Sequence, residues 1–512
     1  MSIGVGEASE SFLLRDLLDS HSIQVLHNSS SRPIIMPIDA MKIIADRFDH
    51  SRDVNFFTSL DDREFNYGVY WSNAHKLARK WESEGMKRGD VIAFILPNNV
   101  ALPCCYLSCA IGGFIACAIV DSLHPEVVKN ILSSVGPGLV VRDIPLMDAG
   151  LPVPGADEFY IDIDQDAPFI MLFTSGLTGE PKTICHSLRT VVGSAQSFAR
   201  LSNMSSKTRL YHILPMAYMA GFLNAMLAPL VAGASIVEGP LFSPSMAVDF
   251  WPRPIEQQVN TLSITPTIAS ALCRLTRNPA AIEAIKSQIV QVQCTSASIQ
   301  KALRHRFEEM FSIPLQDCYG ITELGGPLTF QTIEDADEGS DLSVPLPEID
   351  VSLRGESKQK ELWIRSPFCM LGYLKGGDLT RPFDPEGFMD TGDLVLRAQG
   401  RIQITGRKKD IIIRGGINIS PVRVESVLSM MPDVEETAVV GVEHPFWGEE
   451  IVACIVPAHK NHQDLGTKVL QYCREHLAQH ERPDRLMLMD SLPRSFIGKI
   501  QKNILRAMAA SN

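Results

Sequence analysis

Ten residues, FTSGLTGEPK from Phe173 to Lys182, bring two glycines, three hydroxyl side chains, a proline and a lysine into one short stretch. Glycine lets backbone N–H groups come close to a ligand. Here Gly176 and Gly179 supply that freedom, Thr174, Ser175 and Thr178 can donate to phosphate oxygens, and Lys182 adds a positive charge. The composition is that of a phosphate cradle; it also suits an ordinary polar turn. It is not a Walker A loop, because Pro181 stands where that motif places the glycine before its lysine.

Four further stretches concentrate chemistry. YGITE (Tyr319–Glu323) sets an aromatic ring, a glycine, a hydroxyl and a carboxylate side by side. MDTGDL (Met389–Leu394) delivers Asp393 after a tight turn. TGRKKDIIIRGGINISPVRVE (Thr405–Glu425) joins a basic turn to a double glycine. PRSFIGKIQK (Pro493–Lys502) presents Lys499 after a glycine. Taken singly, each has a structural alternative: Asp393 as a turn residue, Lys499 as one solvated lysine among many.

In this order the five stretches resemble the adenylate-forming superfamily of acyl- and aryl-CoA synthetases, adenylation domains and firefly luciferase. The resemblance runs from GMKRGDVIAFILPNN (Gly85–Asn99) to Lys502, nearly the whole chain. It implies activation of a carboxylate with ATP and Mg2+ to an acyl-adenylate, then transfer to a thiol, coenzyme A or a carrier protein. The loop Thr174–Lys182 is then expected to enclose the β- and γ-phosphates. Tyr319 is expected on the adenine, with Asp317 at its amine and Ser296, Ala297 and Ser298 as the opposite wall. The resemblance also places Thr322 at the α-phosphate, Glu323 on Mg2+, Asp393 on the ribose hydroxyls with Arg407 nearby, and Lys499 between the carboxylate and the α-phosphate. Tyr218, Phe222, Gly320 and Gly325 are implied at the acyl pocket, Gly415 and Gly416 along the coenzyme A tunnel, and Lys409 at a hinge. Three positions depart from the pattern: Leu177 replaces a usual Ser or Thr, and Thr183 and Thr295 replace common glycines.

These types suit the reaction. The attacking carboxylate and the triphosphate are both anions, and a lysine with Mg2+ in a dry site offsets their repulsion. The stretch Tyr211–Val237, aligned with the family's acyl-pocket helix, contains no Asp, Glu, Lys or Arg. A buried substrate ammonium would have no partner there, at a cost of several kcal/mol. An uncharged aliphatic, cyclic or aromatic acid is therefore expected rather than an α-amino acid. The reading is an acyl-CoA synthetase. Its rivals are a ligase loading a carrier protein, a luciferase-like oxidase, and a non-enzymatic nucleotide sensor; joint retention of Lys499, Glu323 and Asp393 argues against the last.

Elements must hold these residues in place. Val/Ile-rich runs such as DVIAFIL (Asp90–Leu96), FIMLF (Phe169–Phe173), GASIVEG and NTLSITPT alternate with helical patterns, one of them from about Trp71 to Glu84. Such alternation predicts an α/β fold of mostly parallel sheets flanked by helices. The expected division is a large N-terminal domain over 1–405, a hinge over 406–409 and a small mobile α/β domain over 410–512. CCYLSC, holding Cys104, Cys105 and Cys109, reads as a buried helix. His476 and His480 stand one helical turn apart, at metal-ligand spacing, although a solvated helix face explains them as well. The net charge of −12 argues against a general nucleic-acid or anionic-membrane binder. No signal peptide or membrane span is evident, and eleven cysteines without repeating spacing fit a reducing cytoplasm.

Overall fold

The computed structural model describes residues 38–144, 162–174, 182–297, 299–332, 342–356, 359–398, 400–459, 464–495 and 499–511. Ala40–Asn512 form one compact unit, separate from Met1–Asp39. Within that unit a large N-terminal α/β domain precedes a smaller C-terminal one, in keeping with the expected class.

Two large sheets make the N-terminal domain. In one, Leu315–Ile321, Gln291–Thr295, Thr261–Ile264, Arg209–His212, Ser235–Glu238 and Asn55–Thr58 are successive parallel neighbours, and antiparallel strands finish both edges. In the other, Pro168–Thr174, Ile115–Val120, Val91–Leu96 and Leu139–Val141 run parallel. Lys182–Ser187 and Gly372–Lys375 extend that sheet in antiparallel fashion. Antiparallel pairing is more extensive than the alternation suggests: Asp350–Arg354, Lys360–Arg365, Met389–Ala398 and Arg401–Arg407 form a fully antiparallel sheet.

Local chemistry sets the boundaries. The helix expected from Trp71 begins at Tyr67, because the Asn66 side chain accepts from the Val69 N–H and caps it. CCYLSC lies in the helix Ala101–Gly112, all of it buried, so its cysteines act as small apolar residues. Strand Arg401–Arg407 passes through a turn at Lys408–Asp410 to strand Ile412–Arg414, which belongs to the C-terminal sheet. That sheet has its own apolar cores, one around Val424, Ile451 and Val469, the other around Val440, Cys454 and Leu505. His476 ends a helix, whereas His480 sits in a separate turn, Gln479–Glu481, beyond the extended residue Leu477. The two therefore do not share a helix face, and the expected one-turn pairing is corrected.

Candidate active site

The centre of the site is a reversal of chain. Leu315–Ile321 runs into a single tight turn, Thr322–Leu324, and the chain returns as Gly326–Phe330. Gly325 closes the turn at φ +75°, the left-handed region that glycine adopts without strain. A Cβ on Gly320 would stand 2.4 Å from the Gly326 carbonyl oxygen, so the arms approach as closely as they do because the residue is glycine. This turn sets Tyr319, Thr322 and Glu323 in one short stretch of the cleft wall.

Two residues absent from the motif reading brace it. His186 is fully buried and donates from Nε2 to the Thr322 carbonyl at 2.7 Å. Burial pushes its pKa down to about 4, so it is a neutral donor at physiological pH. Tyr373 donates its hydroxyl to Glu323 Oε1 at 3.0 Å. The Met370 N–H donates to the Glu323 carbonyl at 2.8 Å. The Lys182 ammonium lies 5.0 Å from the centre of the Tyr373 ring, within cation–π range. The strands explain the meeting: Gly372–Lys375 pairs with Lys182–Ser187 so that Tyr373 lies opposite Ile184, putting Lys182 on the same face two residues along. Nothing in the spacing of the sequence announces that pairing.

Asp393 stands opposite Arg407 in the ladder between Met389–Ala398 and Arg401–Arg407. Arg407 donates from Nε to Oδ1 at 2.8 Å, and the Tyr319 hydroxyl donates to Oδ2 at 2.5 Å. The carboxylate is only 2 % exposed. Burial, then the Asp393 charge, raises the Tyr319 pKa far above that of a free phenol, which keeps its proton in the bond.

Lys499 arrives from the C-terminal domain. Its carbonyl accepts from the Ser495 N–H at 2.8 Å, and Arg494 bridges Ile500 beside it. Lys499 is exposed to solvent. The surrounding protein still lowers its pKa, by burial first and then by Arg407, while Asp393 and Glu323 oppose the shift. Lys499 therefore belongs to the same electrostatic environment as Arg407, Asp393 and Glu323. Lys409 is also exposed, and burial followed by Arg407 lowers its pKa. Gly415 and Gly416 form the turn between Ile412–Arg414 and Ile417–Ile419, both at positive φ. The Gly415 N–H donates to the Trp447 carbonyl. Among the described residues no hydrogen bond joins this turn to Tyr319, Glu323 or Asp393.

Ser175, Gly176, Thr178, Gly179 and Ser298, with Leu177, lie outside the described residues, as does the Thr174 side chain; the Thr174 backbone pairs with Lys182. Ser296 takes φ +77°, so the glycine-like backbone falls there and not at strand residue Thr295. Ala297 is exposed, and the Asp317 N–H bonds Gln331 Oε1 at 3.1 Å. Tyr218 is half-buried. Phe222 is buried, its ring centre 4.7 Å from that of Tyr106, and belongs to the packed interior. Gly320 faces solvent, and Gly325 is buried beside His186.

Lys182, Lys499 and Arg407 thus supply cations around the Glu323 and Asp393 carboxylates. Such a set suits a polyphosphate carrying a hard divalent cation, since Mg2+ is commonly held by one or two carboxylates together with substrate phosphates. The donor at Glu323 fits that ion.

Comparison with known proteins agrees in kind. The model of the AMP-binding enzyme family matches residues 45–374, and that of the AMP-binding enzyme C-terminal domain matches 423–499. A long-chain-fatty-acid–CoA ligase of Mycobacterium tuberculosis is 27% identical over 478 residues, covering 87% of this chain and 93% of that one. A sulfoacetate–CoA ligase of Cupriavidus necator is 27% identical over 475 residues, covering 85% and 91%. The crystal structure of the anthranilate CoA ligase AuaEII in complex with anthranoyl-AMP superposes with a TM-score of 0.81 at 20% identity, covering 93% of this chain and 98% of that one.

Proposed function

We infer, for a chain that belongs to the AMP-binding enzyme family and is an acid–thiol ligase, that it activates an uncharged carboxylic acid with ATP and passes the acyl group to coenzyme A. The observation that carries this reading is the buried Asp393 carboxylate held by Arg407 and the Tyr319 hydroxyl, with Lys499 of the C-terminal part in electrostatic reach of Arg407, Asp393 and Glu323. A carboxylate oxygen attacks the α-phosphorus, and the bond to pyrophosphate breaks. Lys499 sits between the two anions and reduces their repulsion. Lys182 and the rest of Thr174–Lys182 hold the outer phosphates, and Thr322 meets the α-phosphate. Tyr319 packs on the adenine. Asp393 takes the ribose hydroxyls, with Arg407 keeping it oriented. Mg2+, when bound at Glu323, neutralises phosphate charge.

In the second half-reaction the thiol attacks the acyl carbonyl carbon and AMP leaves. The C-terminal domain, 410–512, turns about the hinge at 406–409, Lys409 included, so that Gly415 and Gly416 replace Lys499 at the cleft and admit the pantetheine arm. The fatty-acid and sulfoacetate ligases named above are both 27% identical to this chain, so identity alone does not select the acid. The side chains do more. The charge-free stretch Tyr211–Val237 has one imidazole, His212, and burial pushes its pKa down to about 4, leaving it neutral. A neutral wall favours an aliphatic, cyclic or aromatic acid over an amino acid. Screening a carboxylic-acid library for AMP release with coenzyme A present tests this. Turnover of uncharged acids is expected; turnover of α-amino acids alone would contradict it.

A further inference from the structure

Two opposite charges approach Tyr373 from different elements, the Lys182 ammonium from the start of strand Lys182–Ser187 and the Glu323 carboxylate from the turn Thr322–Leu324, and Tyr373 contacts both. Side by side, such groups would form an ion pair, and each would lose strength toward a third charge. No ion pair joins them among the described residues. Tyr373 offers each a milder partner: the ring face to the ammonium, the hydroxyl to Glu323 Oε1. The arrangement is held by backbone. Tyr373 is locked in a ladder against Ile184, the Leu371 N–H donates to the Cys185 carbonyl, and the Met370 N–H donates to the Glu323 carbonyl.

We propose that Tyr373 is a positioning residue for the metal–nucleotide: it separates Lys182 from Glu323, so the ammonium stays available to phosphate oxygens and the carboxylate to the divalent cation. The proposal rests on the ATP-dependent reading above. Its two halves are separable, because the hydroxyl acts on Glu323 and the ring on Lys182.

Calorimetric titration of ATP into the full chain, with Mg2+ varied and with Mg2+ chelated, tests both halves. In Tyr373→Phe, which keeps the ring, ATP affinity without Mg2+ should equal wild type. The Mg2+ concentration giving half of the metal-dependent gain in affinity should rise about tenfold, the effect of losing one hydrogen bond to a charged group. Tyr373→Leu, which loses the ring as well, should also weaken Mg2+-free ATP binding by about twofold to fivefold. In a Glu323→Gln background, Tyr373→Phe should add no further change to the Mg2+ titration, since the two residues act as one unit. An unchanged Mg2+ titration in Tyr373→Phe, or additive effects in the double variant, would overturn the proposal while leaving ATP-dependent ligation standing. A wild-type protein that binds no ATP with or without Mg2+ would overturn the underlying reading and this proposal with it.

Discussion

Asp393 is buried, and both of its oxygens are engaged, one by Arg407 and the other by the Tyr319 hydroxyl. A ribose that uses this carboxylate meets an acceptor already aimed, at the cost of sharing it with Tyr319. Asp393→Ala removes acceptors whose hydrogen bonds are worth about 1.5–3 kcal/mol each. It should weaken ATP binding by tenfold or more in calorimetry; unchanged affinity would remove Asp393 from the nucleotide site. The buried histidines make a second prediction at this scale. His186 and His212 titrate near 4 in the fold against an ordinary 6.5. Each contributes stability that is complete above pH 6.5 and is lost as pH falls through 4. Glu238, raised to about 7 by burial, runs the other way and regains stability below that pH. His75, half-buried and lowered to about 4 by burial, runs with them, so three histidines outweigh one glutamate and stability falls between pH 6.5 and 4. Denaturant midpoints should fall over that window, and His212→Asn should flatten the fall. The stretches holding Asp393 and Glu323 stood out in the sequence because glycines and short polar residues mark turns locally, and the roles expected of them came from the family resemblance. His186 and Tyr373 were not, because their roles come from strand pairing and burial, which residue spacing does not encode.

At the scale of elements, the close approach of Leu315–Ile321 to Gly326–Phe330 sets the cleft wall. A methyl group on Gly320 would meet the Gly326 carbonyl at 2.4 Å and the carbonyl carbon at 2.9 Å, both backbone atoms. Gly320→Ala must therefore push the two arms apart. It should destabilise the fold by about 1–3 kcal/mol and shift Tyr319 away from Asp393, lowering ATP affinity as well. If unfolding midpoint and ATP affinity both match wild type, the arms are not held as described. The strands around this site were visible as Val/Ile-rich runs, but their direction was not. The antiparallel sheet of Asp350–Arg354, Lys360–Arg365, Met389–Ala398 and Arg401–Arg407 carries side-chain patterns that a parallel arrangement also accepts. A helix within Tyr211–Val237 was expected from the resemblance, but its widened form over Ala220–Leu227 was not, because a nearly continuous apolar run shows no period. The helix starting at Tyr67 was placed late, since its cap, Asn66, precedes the apolar pattern used to find it.

At the scale of the molecule, the C-terminal domain rests against the N-terminal part through the Arg494 bond to Thr267 at 2.9 Å and an ion pair between Arg274 and Glu435. The part-buried bond from the Ser420 hydroxyl to the Thr405 carbonyl at 2.8 Å joins them as well. The proposed exchange of Lys499 for Gly416 requires these contacts to break. The central claim is that Lys499 serves the first half-reaction and has left the cleft in the second. The most direct test is Lys499→Ala, assayed separately for pyrophosphate release from ATP with acid and for transfer of the acyl group from supplied acyl-adenylate to coenzyme A. Adenylation should fall by about a hundredfold or more, the scale of losing one transition-state donor, while transfer stays near wild type. Equal loss in both half-reactions, or normal adenylation, would contradict it.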